Sequence, residues 1–154
     1  MDTLHPTAQS IKTKVGMFPN GSAEVTYSYN SWTIFIESIW GNRRNKIYLT
    51  ATHTAHVLHK KSYSLKQTGI YRIFFMARNP NYNAMGKANK ITHLLLSSVN
   101  AQNMLHAMNP SFLIKNKSIN YNGKLKVHDF KSLSNSLILY ECLLDEIHNQ
   151  LPIN

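Results

Sequence analysis

Residues 132–151 constrain the fold most, because their apolar side chains recur at helical spacing. One side of the segment carries residues spaced by four and three, namely Leu133, Leu137, Tyr140, Leu144, Ile147 and Leu151. Between Leu137 and Leu144 nearly every position is apolar, whereas a surface helix needs only one apolar stripe. We therefore predict a long C-terminal amphipathic helix with a second covered side. Either the sheet of the same chain or a second copy of the protein would cover that side.

The chain upstream of this helix has the pattern of a strand-rich body. Alternating β-branched and aromatic residues predict strands over residues 23–29, 32–40, 46–51 and 69–78. Asn30-Ser31 is a plausible tight turn between the first two strands. Lys46, Tyr48 and Thr50 alternate with apolar neighbours, which is typical of a strand with one face in water.

Two segments before the C-terminal helix decide the rest of the fold. Residues 91–97 fit either a strand or the start of a helix, and we favour a strand followed by a short helix over about residues 100–108. Asn122-Gly123 predicts a two-residue hairpin turn, because both residues tolerate positive φ angles. The predicted fold class is therefore α+β, mainly an antiparallel sheet with a short helix near 100–108 and a C-terminal amphipathic helix.

The chain has no internal repeat and no low-complexity linker, which favours one domain. Residues 1–22 contain Pro6, Gly16 and Pro19 and show little periodicity, so we predict an N-terminal arm there that is mobile or lies along the body. Residues 23–154 would then form a single basic α+β domain.

The charge distribution points to the kind of partner. All 17 Lys and Arg residues lie between Lys12 and Lys131, and that span contains only Glu24, Glu37 and Asp129 as acids. The formal net charge of the whole chain is +10. Such an excess repels itself in the folded state, and it favours a polyanionic partner, most readily RNA or DNA, or else an anionic membrane surface.

Basic residues with aromatic neighbours are the candidate nucleic-acid-binding positions. Lys and Arg contact phosphates, and exposed aromatic rings stack on unpaired bases. The candidates are Arg43, Arg44, Lys46, Lys60, Lys61, Tyr63, Arg72, Arg78, Tyr121 and Lys124. We expect Tyr63, Tyr82 and Tyr121 to be exposed, since they fall in predicted loops or at a turn. The competing interpretation places the aromatic rings in the core and the charges on an ordinary solvated face.

The histidines offer two further interpretations. His53, His56 and His59 recur every three residues, but zinc usually takes four ligands, often thiolates, and no second cysteine is present. We therefore expect no metal and no small-molecule cofactor. A small metal-independent ribonuclease, toxin-like, could use His53, His56, Lys60, Tyr71 and Arg72 as acid, base and phosphate ligands. The sequence contains no catalytic motif that would require such a site.

We accordingly expect a non-enzymatic protein that binds a polyanion. A matrix-like or nucleocapsid-like role in a virus would suit this composition. An interaction module for an acidic protein partner is the remaining alternative. Self-association through the C-terminal helix is a further alternative. The acids Glu141, Asp145 and Glu146 of one copy could also face the basic body of another.

The expected setting is intracellular. The single cysteine, Cys142, excludes an intramolecular disulfide and favours a reducing compartment. No apolar run has the length of a transmembrane span or a signal-peptide core. We therefore expect a protein that is soluble or at most peripheral to a membrane.

Overall fold

The computed structural model describes residues 3–67 and 82–152. These ranges contain seven strands, Gly21–Tyr29 (β1), Trp32–Gly41 (β2), Arg44–His53 (β3), His59–Gln67 (β4), Tyr82–Gly86 (β5), Met108–Asn116 (β6) and Ser118–Lys126 (β7). They also contain four helices, Pro6–Met17 (α1), Lys90–Ser97 (α2), Val99–Met104 (α3) and Phe130–Gln150 (α4). The strands predicted over residues 23–29, 32–40 and 46–51 are confirmed as β1, β2 and β3. The strand predicted over residues 69–78 lies outside the described residues.

The strands form one antiparallel sheet in the order β1-β2-β3-β7-β6-β4-β5. β1, β2 and β3 are joined by short turns, with Asn30-Ser31 at the first of them as predicted. After β3 the chain moves to the far edge to form β4 and β5, and β6 and β7 then fill the gap. This antiparallel sheet with a C-terminal helix confirms the predicted α+β fold.

One face of the sheet is covered by helices and the other faces solvent. Strand alternation directs Trp32, Ile34 and Ile36 of β2 into the core, where α4 buries Leu137 and Leu144 against the sheet. The Tyr140 hydroxyl of α4 donates a hydrogen bond to the Ile119 carbonyl of β7, at 2.6 Å. A fully buried Leu or Ile contributes about 1.5–3 kcal/mol, so this layer holds the fold together. We call the opposite, solvent-facing side the open face.

The predicted C-terminal helix is confirmed as α4. Asp129 caps it by accepting a hydrogen bond from the Ser132 backbone N–H. Its second apolar side is only partly covered within the same chain, because Leu143 is fully buried whereas Ile138 is 45% exposed and Cys142 is also exposed. Within the described residues, no helix combines the length and the apolar character needed to cross a membrane.

The N-terminal segment is a helix rather than an irregular arm. In α1, Ala8, Ile11 and Val15 recur at spacings of three and four and are buried in the core. Pro6 stands at the first helical position, where its missing N–H costs nothing, and Gly16 lies in the last turn. The prediction took Pro6 and Gly16 as signs of irregular structure and missed the short apolar stripe. The predicted boundary at residue 22 does not separate α1 from the core.

The strand favoured over residues 91–97 is also wrong, since this segment forms α2. Asn89 and Thr92 form a reciprocal capping box at its start, which satisfies backbone N–H groups that a helix end leaves free. Ser98 ends α2 and caps the following helix, so the serines mark a junction between helices. The short helix α3 ends at Met104, earlier than predicted, because residues 108–116 form β6.

Asn122-Gly123 does not form a hairpin turn. Both residues lie inside β7, where Gly123 pairs with Ile47 of β3. A Cβ atom at Gly123 would stand 2.7 Å from the Tyr121 hydroxyl, so glycine makes room for the tyrosine side chain. The turn between β6 and β7 instead uses Asn116, which has a φ of 53°.

Candidate nucleic-acid interface

Two pairs of cations face each other across β3 and β7 on the open face. Arg44 pairs with Lys126, and Lys46 pairs with Lys124 in the next row. Directly opposed residues in an antiparallel pair have Cβ atoms about 5 Å apart, so like charges there are destabilising. Together with Arg43 in the adjoining turn, these four residues form a continuous group that we call the basic strip.

No carboxylate neutralises these cations. Within residues 3–67 and 82–152, the one ion pair within 4.0 Å joins His5 to Glu141, and it involves neither Lys nor Arg. Among the described residues, the basic strip therefore has no ion-pair partner, although Glu37 of β2, directly opposite Tyr48, places a carboxylate on the same face.

Glu141 and Asp145 of α4 accept hydrogen bonds from side chains of other elements. Glu141 accepts hydrogen bonds from the Tyr27 hydroxyl at 2.8 Å and from His5. Asp145 accepts one from the Tyr29 hydroxyl at 2.7 Å. Burial, followed by the bond to Glu141, raises the pKa of Tyr27, and the bond to Asp145 with burial raises the pKa of Tyr29. These carboxylates thus attach the helix to β1.

The turn at the end of the basic strip carries unusual backbone angles. Asn42 and Arg43 have φ angles of 50° and 66°, as a two-residue hairpin turn requires. Asn tolerates this region well, but Arg does so at a cost. Beside the turn lies an open depression of about 700 Å³, lined by Arg43, Arg44 and Lys126 among others. The turn places two guanidinium groups at the rim of this depression.

A second depression, of about 160 Å³, lies on the open face across β3, β7 and β6. Tyr48, half-buried, forms one wall of it, with Lys46 and Lys124 along one side. Asn122 of β7 and Ser111 of β6 continue the row that starts at Tyr48. We call this depression the Tyr48 pocket.

The structure brings together only part of the predicted set. Arg43, Arg44, Lys46 and Lys124 converge at the end of the sheet that carries the β2–β3 turn. Lys60 and Lys61 lie at the opposite end, where β4 begins beside the end of β6. Arg72, Arg78 and the side chain of Tyr82 lie outside the described residues. Sequence reasoning left out Lys126 and Tyr48.

The expected exposure of Tyr63 and Tyr121 is wrong. Their exposed fractions are 3% and 1%, because both point to the helix-covered face. The Tyr121 hydroxyl donates to the Met104 carbonyl at 2.7 Å, and the ring packs against Phe112. Burial raises the pKa of Tyr63. Neither ring can stack on a base. The alternation in β3 instead places Tyr48, which is half-buried, on the open face.

Two of the three histidines of the cluster, His53 and His59, are buried and engaged in hydrogen bonds. His53 is 2% exposed, and its Nδ1 accepts hydrogen bonds from the backbone N–H groups of Ala55 and His56. Its Nε2 lies 3.1 Å from Nδ1 of His148, so both ring nitrogens are engaged. His59 likewise uses Nε2 to donate to the Lys87 carbonyl.

Among the residues that the structure describes, no three His, Cys, Asp or Glu side chains are grouped as a metal site requires. Of the group considered for ribonuclease chemistry, His53 is buried and engaged, while Tyr71 and Arg72 lie outside the described residues. His53 is therefore poorly placed to exchange a proton with a substrate in solvent.

Comparison with known proteins found no family model that matches the chain, and neither a curated protein nor a solved structure matched it.

Proposed function

We propose that this protein binds nucleic acid, RNA or DNA, through the basic strip, without catalysing a reaction on it. The observation that carries the proposal is the direct opposition of Arg44 to Lys126 and of Lys46 to Lys124. This arrangement is unfavourable in the free protein. A phosphate backbone lying over the strip would convert the repulsion into attraction.

The spacing of the strip suits a linear polyanion. Lys46 and Arg44 follow one another along β3, and Arg43 lies in the turn that precedes this strand. Alternate residues of a strand are roughly 6.8 Å apart. Successive phosphates of an extended nucleic-acid strand are separated by a comparable distance. Each row can therefore contact a different phosphate without distortion of the sheet.

The surroundings of the strip favour nucleic acid over a lipid surface. Next to the cations stand Tyr48, Asn122 and Ser111, which offer a ring face and hydrogen-bonding groups. Bases and sugars use such groups. A peripheral membrane site gains affinity from several large apolar side chains beside the charges, whereas here Ile39, 39% exposed and opposite Lys46, is the apolar neighbour that β2 contributes.

A matched pair of double variants tests the proposal. Lys46→Ala with Lys124→Ala removes two charges from the strip, and Lys60→Ala with Lys61→Ala removes two from the opposite end. At about 50 mM salt, fluorescence anisotropy with a labelled oligonucleotide should show a loss of affinity only for the first variant.

Three results would overturn the proposal. The two double variants could lose affinity for the oligonucleotide equally, which would mean that the overall charge of the protein, and not a localised site, drives binding. The wild-type protein could bind vesicles rich in anionic lipid but no oligonucleotide, which would assign the strip to a membrane. It could also bind neither probe at low salt.

A further inference from the structure

We infer that the Tyr48 pocket holds one unpaired nucleobase, so that the ligand of the basic strip is single-stranded. This inference rests on the proposed function and adds to it the class of nucleic acid and the residue that selects it. A base within a duplex is stacked and paired on both sides, so it cannot place its ring face against a side chain on a sheet.

The ring of Tyr48 is placed for stacking. It stands on the open face between Lys46 and Thr50 and directly opposite Asn122. Every base has a ring face, so stacking on Tyr48 would tolerate any sequence. Lys46 and Lys124 line the same pocket and can hold the phosphates that flank the stacked base.

A β-bulge shapes the far wall of the pocket. Met108 pairs with Lys124, but the next matched pair is Ser111 with Asn122, so β6 has one more residue than β7 in this interval. Asn109 lies inside the bulge, lines the pocket and has a φ of 50°. Bulges redirect side chains and are common beside functional sites. Here the irregularity coincides with the depression.

The polar groups of the pocket contrast with those farther along the same strands. The Thr50 hydroxyl donates to the side-chain carbonyl of Asn120 at 2.7 Å, and Thr52 bonds to Ser118 at 2.9 Å. In the Tyr48 row, no such side-chain bond joins Asn122 or Ser111 to another described residue. Their donors and acceptors are therefore free to meet the edge of a base.

The test compares an ordinary single-stranded oligonucleotide with an abasic one of the same length. Tyr48→Ala should weaken binding of the ordinary strand by between about fivefold and about 150-fold, the range found when a stacking aromatic is removed. Binding of the abasic strand should not change. Tyr48→Phe keeps the ring and should bind both strands as the wild type does.

Asn122→Ala provides a second readout, since this exposed side chain can be removed without opening the core. It should weaken binding of the ordinary strand by roughly two- to tenfold, as the loss of one hydrogen bond would. The abasic strand should again be unaffected.

Three results would overturn the base site and leave the proposed function intact. The wild type could bind both strands equally, or Tyr48→Ala could weaken both equally, which would show that Tyr48 only supports the sheet. Equal affinity for a duplex, unchanged by Tyr48→Ala, would have the same meaning. Failure to bind any oligonucleotide at low salt would instead overturn the proposed function.

Discussion

Lys46 of β3 and Lys124 of β7 are directly opposed on the open face, near the end of the sheet that carries the β2–β3 turn, and no described carboxylate forms an ion pair with either. The two strands are far apart in sequence, and the sheet order β3-β7 brings these residues together. The arrangement costs stability in the free protein. It is most readily explained by a ligand that supplies negative charge.

Reversing one of these charges should stabilise the protein. Lys46→Glu turns a repulsive cross-strand pair into an attractive one and should raise the free energy of unfolding by about 0.2–1 kcal/mol at low salt. Urea denaturation measures this change, and added salt should reduce it. Lys60→Glu, at the other end of the sheet, is the control and should change stability by less than about 0.5 kcal/mol. A destabilised Lys46→Glu protein would show that the lysines do not repel each other.

The link between α4 and β1 should be sensitive to the loss of one hydroxyl group. Tyr27→Phe removes a donor from the partly buried Glu141 carboxylate and should destabilise the fold by about 1.5–3 kcal/mol, as expected for a bond to a charged group. Tyr48→Phe is the matched control on the open face. Chemical denaturation of both variants makes the comparison, and equal stabilities would contradict the role assigned to Glu141.

Glycine is required at residue 123 for a reason of space. In Gly123→Ala the new Cβ would lie 2.7 Å from the Tyr121 hydroxyl and 3.2 Å from the Ala107 Cβ. This overpacking should cost about 1–3 kcal/mol. Gly16→Ala is the control, because nothing lies within 4 Å and the residue is helical. It should stabilise α1 by about 0.5–1 kcal/mol. Thermal unfolding of the two variants should therefore shift in opposite directions.

Stability should fall as the pH drops below the ordinary pKa of histidine. Burial, with His56, His148 and Lys117 nearby, lowers the pKa of His53 below 6.5. The unfolded chain then binds a proton that the folded protein does not, so stability declines with pH by at most about 1.4 kcal/mol per unit. The decline begins near pH 6.5 and ends at the folded pKa.

Unfolding free energies measured between about pH 7 and pH 5 test this expectation. His53→Gln should flatten the dependence, whatever its effect on stability at neutral pH. A slope that persists in His53→Gln would assign the titration to another group.

Patterns within one element predicted the local structure well. The alternation of Lys46, Tyr48 and Thr50 identified the strand β3 and its wet face, and the spacing from Leu133 to Leu151 identified α4. The errors in the predicted local structure arose at residue types that occur in more than one structural role. Gly123 makes room for a side chain instead of forming a turn, and Pro6 begins a helix instead of breaking one.

The set of residues that form the candidate site depends on pairings between strands that are far apart in the sequence. Periodicity within one strand does not reveal these pairings. Lys46 and Lys124 meet because β7 inserts next to β3, whereas Lys60 and Lys61 are carried to the other end by β4. The acids of α4 looked free in the sequence because their donors, Tyr27 and Tyr29, lie more than a hundred residues upstream. Only the tertiary structure separates the available charges from those already satisfied.

The salt dependence of oligonucleotide binding tests the central claim most directly. Each phosphate contact to a single strand contributes about 0.7 to the slope of log affinity against log salt concentration. Lys46→Ala with Lys124→Ala should therefore make the slope shallower by about 1.4, while Lys60→Ala with Lys61→Ala should leave it as in the wild type. The same slope in all three proteins would contradict the assignment of the basic strip as the site of phosphate binding.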